Sequence, residues 1–258
     1  GGLSVTKDGT NYQASVSWDP APGLADGSYD LSCTVVDRGS NSATVDYDSN
    51  TAVFTLDGSA PTAPSVTATS PTSDATPTWS WSSGGGGNAT YRYELDDSDL
   101  SNGATETTST SHTPTSNLSD AAHTLYVQER DAAGNWSLSG SKVVTVDTTG
   151  PSVQGVSGTN GTYGTGGVVS ITVVWNEAVT VSGGTPTLEL NTAPARSADY
   201  LGGTGTTTLT FEYTVVAGDE ATALDYASTG ALQLGGASIK DSVGNDATTT
   251  LVAPGEAG

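Results

Sequence analysis

The chain contains no methionine, one cysteine, two phenylalanines, two histidines and only 7 lysines and arginines among its 258 residues. A lone Cys33 leaves nothing for a disulfide framework, and one Cys with two separated His cannot compose a zinc cluster. The few cations face 28 Asp and Glu, a formal net charge of −21. That imbalance repels nucleic-acid phosphates and anionic lipid alike, so neither is expected as a partner, and cations are. No stretch approaches the roughly 18 apolar residues that span a bilayer, and no basic-then-apolar leader opens the sequence, so direct membrane insertion is not expected. Apolar residues amount to 34%, with 33 Gly, which suits thin cores built from short strands and many turns.

What the chain does have is repetition. Asp131-Ala-Ala-Gly-Asn135 leads to Val146-Asp147-Thr148-Thr149-Gly150-Pro151, and Asp37-Arg-Gly-Ser-Asn41 leads to Leu56-Asp57-Gly58-Ser59-Ala60-Pro61. Asp241-Ser-Val-Gly-Asn245 opens a third copy with no linker after it. Leu24 to Leu118, Asp37 to Asp131 and Asn41 to Asn135 are all steps of 94 positions. Periodicity of this kind marks a tandem array. The expected organisation is a partial repeat at 1–60, a complete one at 61–150, and a longer one at 151–258 that lacks its last strand. The unequal repeats lead to the expectation that the array continues past both ends, covalently or by assembly.

The fold expected is all-β, an extended array of β-sandwiches. Leu125 and Val127 alternate, as do Leu31, Cys33 and Val35, which reads as a strand with one buried face and Cys33 as a small core residue. Trp79 and Trp81 share a face at period two, as do Tyr91, Tyr93 and Leu95. The third repeat continues with β-prone runs at Val168 to Trp175, Thr187 to Leu190, Thr207 to Val216 and Leu232 to Lys240.

In Asp-x-x-Gly-Asn the Asp supplies carboxylate oxygens, Gly permits positive φ, and Asn adds a carbonyl oxygen. Such hard oxygen donors suit Ca²⁺ better than zinc or copper. If the last two strands of a sandwich flank this turn, the turn of one repeat faces the Asp-bearing linker of the repeat before it. Asp57 is thereby expected near Asp131 and Asn135, and Asp147 near Asp241 and Asn245, as two structural Ca²⁺ sites. The bland alternative is a good hairpin turn beside a linker Asp that binds nearby backbone N–H groups.

Thr76-Pro-Thr-Trp-Ser-Trp81, Tyr91-Arg-Tyr-Glu-Leu95, Leu125 to Asn135 and Val146 to Pro151 together resemble the bacterial immunoglobulin-like repeats, also called cadherin-like or fibronectin-III-like, of giant surface adhesins. The resemblance covers most of the chain. It implies immunoglobulin-like sandwiches forming an extracellular, cell-surface stalk, many of whose relatives carry Ca²⁺ at repeat junctions. Repeat 1 departs from the turn motif, with Gly and Ser exchanged in order.

Other features compete weakly. Asp96-Asp-Ser-Asp99 with Asn102 and Gly103 lacks the Gly and Glu positions of an EF-hand, and Asp219, Glu220 and Asp225 read as a charged loop. Known catalytic motifs are missing, and nothing places two acids across a cleft, so no enzyme is expected. The leading expectation is a structural stalk or fibre segment whose partners are neighbouring repeats. One alternative is a self-assembling filament subunit, in which Leu3 to Lys7 completes the sheet of another copy. A second is a carbohydrate-binding module for surface glycans, with Trp136 as the stacking residue. Asn88, Asn135 and Asn160 formally open glycosylation sequons.

Overall fold

The computed structural model describes residues 2–8, 11–17, 25–29, 32–36, 42–46 and 54–255, with side chains at 25–28 and 56–255. Asp37 to Asn41 and the Cys33 side chain lie outside the described set. All regular structure among the described residues is strand. The first stretch holds β1 (Gly2–Asp8), β2 (Asn11–Ser17), β3 (Gly27–Tyr29), β4 (Ser32–Val36), β5 (Ser42–Asp46) and β6 (Phe54–Leu56). The second holds β7 (Ser65–Thr67), β8 (Trp79–Ser82), β9 (Thr90–Leu95), β10 (Thr105–Thr107), β11 (Ser111–His112), β12 (Ala121–Arg130) and β13 (Gly140–Val146). The third holds β14 (Val153–Gly158), β15 (Val168–Ser182), β16 (Thr187–Leu190), β17 (Arg196–Gly202), β18 (Thr206–Thr214), β19 (Leu232–Gln233) and β20 (Ser238–Lys240).

The chain divides into two compact units, one of residues 1–66, 81–110 and 125–141 and one of residues 67–80, 111–124 and 142–258. Their limits do not follow the three sequence repeats: the stretch 61–150 is shared between them. In the first unit β1 pairs with β2, β3 with β6, and β4 with β5, all antiparallel. Leu3 to Lys7, the donor segment of the filament alternative, pairs along one edge with β2, with Leu3 opposite Val16 and Val5 opposite Ala14.

Period-two burial decides the strands of the second stretch. Trp79 and Trp81 are buried while Ser80 and Ser82 face water. Trp81 packs against Tyr91 and Tyr93 with ring centroids 6.0 and 5.8 Å apart, and burial of each large side chain contributes about 1.5–3 kcal/mol. Along β12 the alternation of Leu125 and Val127 continues into Glu129, a carboxylate that is 1% exposed. Its Oε2 accepts the Ser83 hydroxyl at 2.6 Å, as a buried polar group requires. No Cβ fits at Gly87, because it would lie 2.1 Å from the Glu129 side chain.

The third stretch forms one sheet in the order β14-β15-β18-β17-β16-β19, with β20 paired to the far end of β15. β15 runs 15 residues, well past the expected end at Trp175, and places Val169, Ile171, Val173, Trp175 and Val179 in the core beside Leu188, Leu209 and Phe211. Its ladder to β18 breaks where Val174 opposes Thr208 but Val179 opposes Thr206. The surplus residues on β15 form a bulge, which re-aims side chains out of the pleat. The run Leu232 to Lys240 is interrupted by Gly235 and Gly236 at φ 58° and 85°, a left-handed stretch that splits it into β19 and β20.

Candidate functional site

Two linkers, each fastened to an Asp-x-x-Gly-Asn turn, form the candidate sites. In the turn at 131–135 Asp131 Oδ1 accepts the N–H groups of Gly134 and Asn135 at 2.7 and 2.8 Å, and the Asp131 N–H donates to Asn135 O at 3.1 Å. Gly134 has φ 102°, a value L side chains avoid. The Asn135 Nδ2 donates to Asp131 Oδ2 at 2.9 Å and to the main-chain oxygen of Asp57 at 2.8 Å. Both amide hydrogens are thereby engaged.

The turn at 241–245 repeats this arrangement with one bond more. Asp241 Oδ1 accepts from Val243, Gly244 and Asn245 at 2.9, 2.6 and 2.9 Å. Asn245 Nδ2 donates to Asp241 Oδ2 at 2.7 Å and to the main-chain oxygen of Asp147 at 2.8 Å. Ser73 adds a hydroxyl bond to Val243 O at 3.1 Å. Burial pushes the Asp131 and Asp241 carboxyls up, but the Asn side chains and the converging N–H groups outweigh it and hold both below the ordinary carboxylate range.

Each linker is also held from a second direction. Asp26 Oδ1 accepts the Gly58 N–H at 2.7 Å and its Oδ2 accepts the Ser59 hydroxyl. Asp120, 94 positions on, accepts the Thr148 N–H at 2.9 Å and the Thr148 and Thr149 hydroxyls at 2.7 and 2.5 Å. Hydrogen bonding to Ser59 and Thr149 first, then to the adjacent N–H groups, lowers the pKa of Asp26 and Asp120. Sequence reasoning did not single these two residues out; the signal for their role was an Asp at the same place in both repeats, 32 and 28 positions before its Gly-Ser or Thr-Thr linker.

The two places differ in their acids. Asp147, Glu177 and Asp241 each offer a carboxylate oxygen, and these oxygens lie within 4.8 Å of one another. Oxygens bound to one Ca²⁺ at 2.3–2.6 Å stand at most about 4.6–5.2 Å apart, so the trio fits a shared hard cation. Asn245 Oδ1 is the atom of that amide left to act as a ligand, since Nδ2 is engaged twice. Glu177 stands in the β15 bulge beside Asn176, whose backbone N–H and Oδ1 bond Ser152 at 3.0 and 2.8 Å. Burial, then the charges of Asp147 and Asp241, raise the Glu177 pKa. Sequence reasoning missed Glu177; its signal was the polar pair Asn176-Glu177 interrupting an apolar run. Among the described residues, no third carboxylate joins Asp57 and Asp131 in such a group.

The remaining candidates have structural partners. Asp219 accepts from Arg196 Nε at 2.9 Å, Tyr213 hydroxyl at 2.5 Å and the Val216 N–H at 2.7 Å. Burial and this carboxylate push the Tyr213 pKa to about 12. Asp97 and Asp99 cap their own loop through the N–H groups of Asp99 and Ser101 at 2.8 and 3.0 Å. Trp136, considered as an exposed sugar platform, is half-buried with the Arg92 guanidinium 4.3 Å and that of Arg130 5.3 Å from its ring centroid. Cation–π packing occupies the surface that a sugar would use. Of the sequon residues, Asn88 and Asn135 have their Nδ2 groups engaged, Asn88 with Asp131 O at 2.9 Å.

No family model matches the chain, and no curated protein matches it. Among solved structures, chitinase ChiA74 from Bacillus thuringiensis matches with 19% identity and a TM-score of 0.29, covering 76% of this chain and 29% of that one. A likeness at that score carries no argument about fold or activity.

Proposed function

We propose that the chain is a structural segment of an extracellular bacterial surface protein, built from tandem immunoglobulin-like sandwiches and serving as a stalk or fibre. The observation that supports this is the duplicated clasp: Asn135 to Asp57 O and Asn245 to Asp147 O, both 2.8 Å. A turn needed only for its own hairpin has no reason to reach a linker main chain 78 or 98 residues away. The second clasp also binds a divalent cation, Ca²⁺ by its oxygen donors, through Asp147, Glu177 and Asp241. The ion cancels the mutual repulsion of the three acids and links linker, bulge and turn.

The decisive measurement is thermal unfolding and small-angle scattering of the chain in Ca²⁺ and then in chelator. The expected result is a lower Tm and a broader distribution of lengths after chelation. Identical melting and identical scattering in both conditions sink the cation part of the proposal. Melting curves of Asn135→Ala and Asn245→Ala indistinguishable from the parent sink the clasp.

A further inference from the structure

β14 is the last strand of its sheet, paired with β15 on one side. On its other side a parallel bridge joins Ser152 to Thr248, and the Thr248 N–H donates to Pro151 O at 2.8 Å. Past Thr248 the chain follows a different course: the Leu251 N–H bonds Thr229 O at 2.8 Å, Val252 O accepts the Tyr226 hydroxyl at 2.9 Å, and the Gly255 N–H bonds Asp225 at 2.8 Å. A cavity of about 970 Å³ opens between the far half of β14 and the loop that holds this segment. Val156 to Thr159 form one wall and Asp219 to Tyr226 the other, over core residues Val169, Ile171 and Leu188.

The polar side chains of this cavity are largely engaged within the protein. Tyr163, Tyr213 and Tyr226 donate their hydroxyls to Thr159 O, Asp219 and Val252 O. The Asn191 amide bridges Ala223 O and the Asp225 N–H. A sugar needs convergent free donors and acceptors, and the tyrosine hydroxyls and the Asn191 amide are taken. What the cavity offers instead is an apolar floor beside a strand edge that has no ladder partner among the described residues, the arrangement that accepts an added β-strand. Elsewhere in the same unit a parallel neighbour fills such a lane: the Thr72 N–H bonds Thr145 O, and the Asp147 N–H bonds Thr72 O, both at 3.0 Å.

We propose that residues 2–8 of a second copy of this chain enter the lane beside β14 as an added strand. Among the described residues β1 pairs on one edge only, with β2, and its far edge is the one the proposal uses. Its sequence alternates Leu3 and Val5 with Ser4 and Thr6, which matches an apolar floor under a polar rim. Residues 1–17 carry Lys7 and Asp8 and no net charge in a chain of −21. They therefore approach the acidic rim of Glu220 and Asp225 without the repulsion that most of the chain would meet. The pairing needs no bound cation, so it stands or falls separately from the Ca²⁺ reading.

Sedimentation velocity of the full chain, in chelator and over a range of concentrations, tests this. The expected result is concentration-dependent association that weakens about tenfold or more in Val5→Asp and in Gly158→Pro, which block the donor and acceptor edges; the Thr159 N–H bonds Ser170 O on the β15 side, so the N–H of Gly158 faces the other way. A synthetic peptide of residues 2–17 should bind Val5→Asp, whose acceptor lane is intact, and fail to bind Gly158→Pro. Circular dichroism checks both folds; if Gly158→Pro does not fold, Val5→Asp and the peptide decide. A monomer at every concentration, association unchanged in Val5→Asp, or a peptide that does not bind overturns the proposal.

Discussion

The clasp at Asp57 and the clasp at Asp147 use the same turn, the same Asn bond and the same hydroxyl-capped linker, yet among the described residues only the second gathers three carboxylates. The difference lies in the chain opposite the linker. Where the third stretch places Asn176 and Glu177 against Ser152, the second places glycines: the Thr62 N–H bonds Gly85 O at 3.0 Å, and a Cβ on Gly84 would meet Ala63 O at 2.2 Å. Glycine admits the linker by close backbone approach, whereas the β15 bulge admits a charge. One clasp therefore closes by hydrogen bonds alone, and the other also assembles like charges whose repulsion must be offset. One fastening is hydrogen-bonded and the other adds a cluster of acids, both on the same turn.

The comparison breaks most readily at the turn carboxylates. Asp241→Ala leaves three N–H groups and the Asn245 amide without their acceptor, and should cost about 2–4 kcal/mol in chemical denaturation. Asp131→Ala, with one fewer N–H bond, should lower Tm by less; an equal or larger drop would contradict the ordering.

Calcium sharpens the contrast. At 100 times its Kd the ion should stabilise the chain by about 2.7 kcal/mol, and Glu177→Gln should remove most of that gain. In chelator the same substitution should be neutral or stabilising, because it relieves repulsion with Asp147 and Asp241. A Glu177→Gln variant equally destabilised in both media would show a purely hydrogen-bonded role.

Acid separates the two clasps by sign. Asp131 and Asp241 have depressed pKa values, so their contribution is full above the unfolded carboxylate range and is lost as pH falls through the folded values. Glu177 is raised, so its penalty is full above its folded pKa and disappears as pH falls toward the unfolded value. In chelator, amide protection factors, which are corrected for the intrinsic pH dependence of exchange, should rise slightly at the second clasp on mild acidification before they fall, while those at the first only fall. The smallest effect belongs to Ser73→Ala, which removes the bond to Val243 O and should cost about 0.5–1.5 kcal/mol, confined to the second clasp.

Much of this was legible in the sequence, because it depends on residues close together in the chain. The Asp and Asn of each turn announce themselves by spacing around an obligatory Gly, and Trp79, Trp81, Leu125 and Val127 announce a buried face by alternation. Glu177 was not legible: its position follows from a register slip between β15 and β18, which local pattern does not encode. β17, with the polar sequence Arg-Ser-Ala-Asp-Tyr-Leu-Gly, is a strand because β16 and β18 flank it, so tertiary pairing overrides weak propensity. Glu129 sits where alternation calls for an apolar side chain and is tolerated because Ser83 and the space at Gly87 receive it.

Both Asn pegs take hold of a main-chain oxygen, that of Asp57 or Asp147, and every residue type possesses one. Mutation at a linker position can therefore change its side chain without unfastening the linker. Each linker carboxylate has its own work: Asp57 and Asp147 Oδ1 accept the N–H groups of Ser59 and Thr149, both at 3.2 Å, and Asp147 also meets Glu177 and Asp241. Fastening and acid clustering thus rest on different atoms, so the carboxylates of one linker can be changed while its main-chain oxygen still holds the Asn.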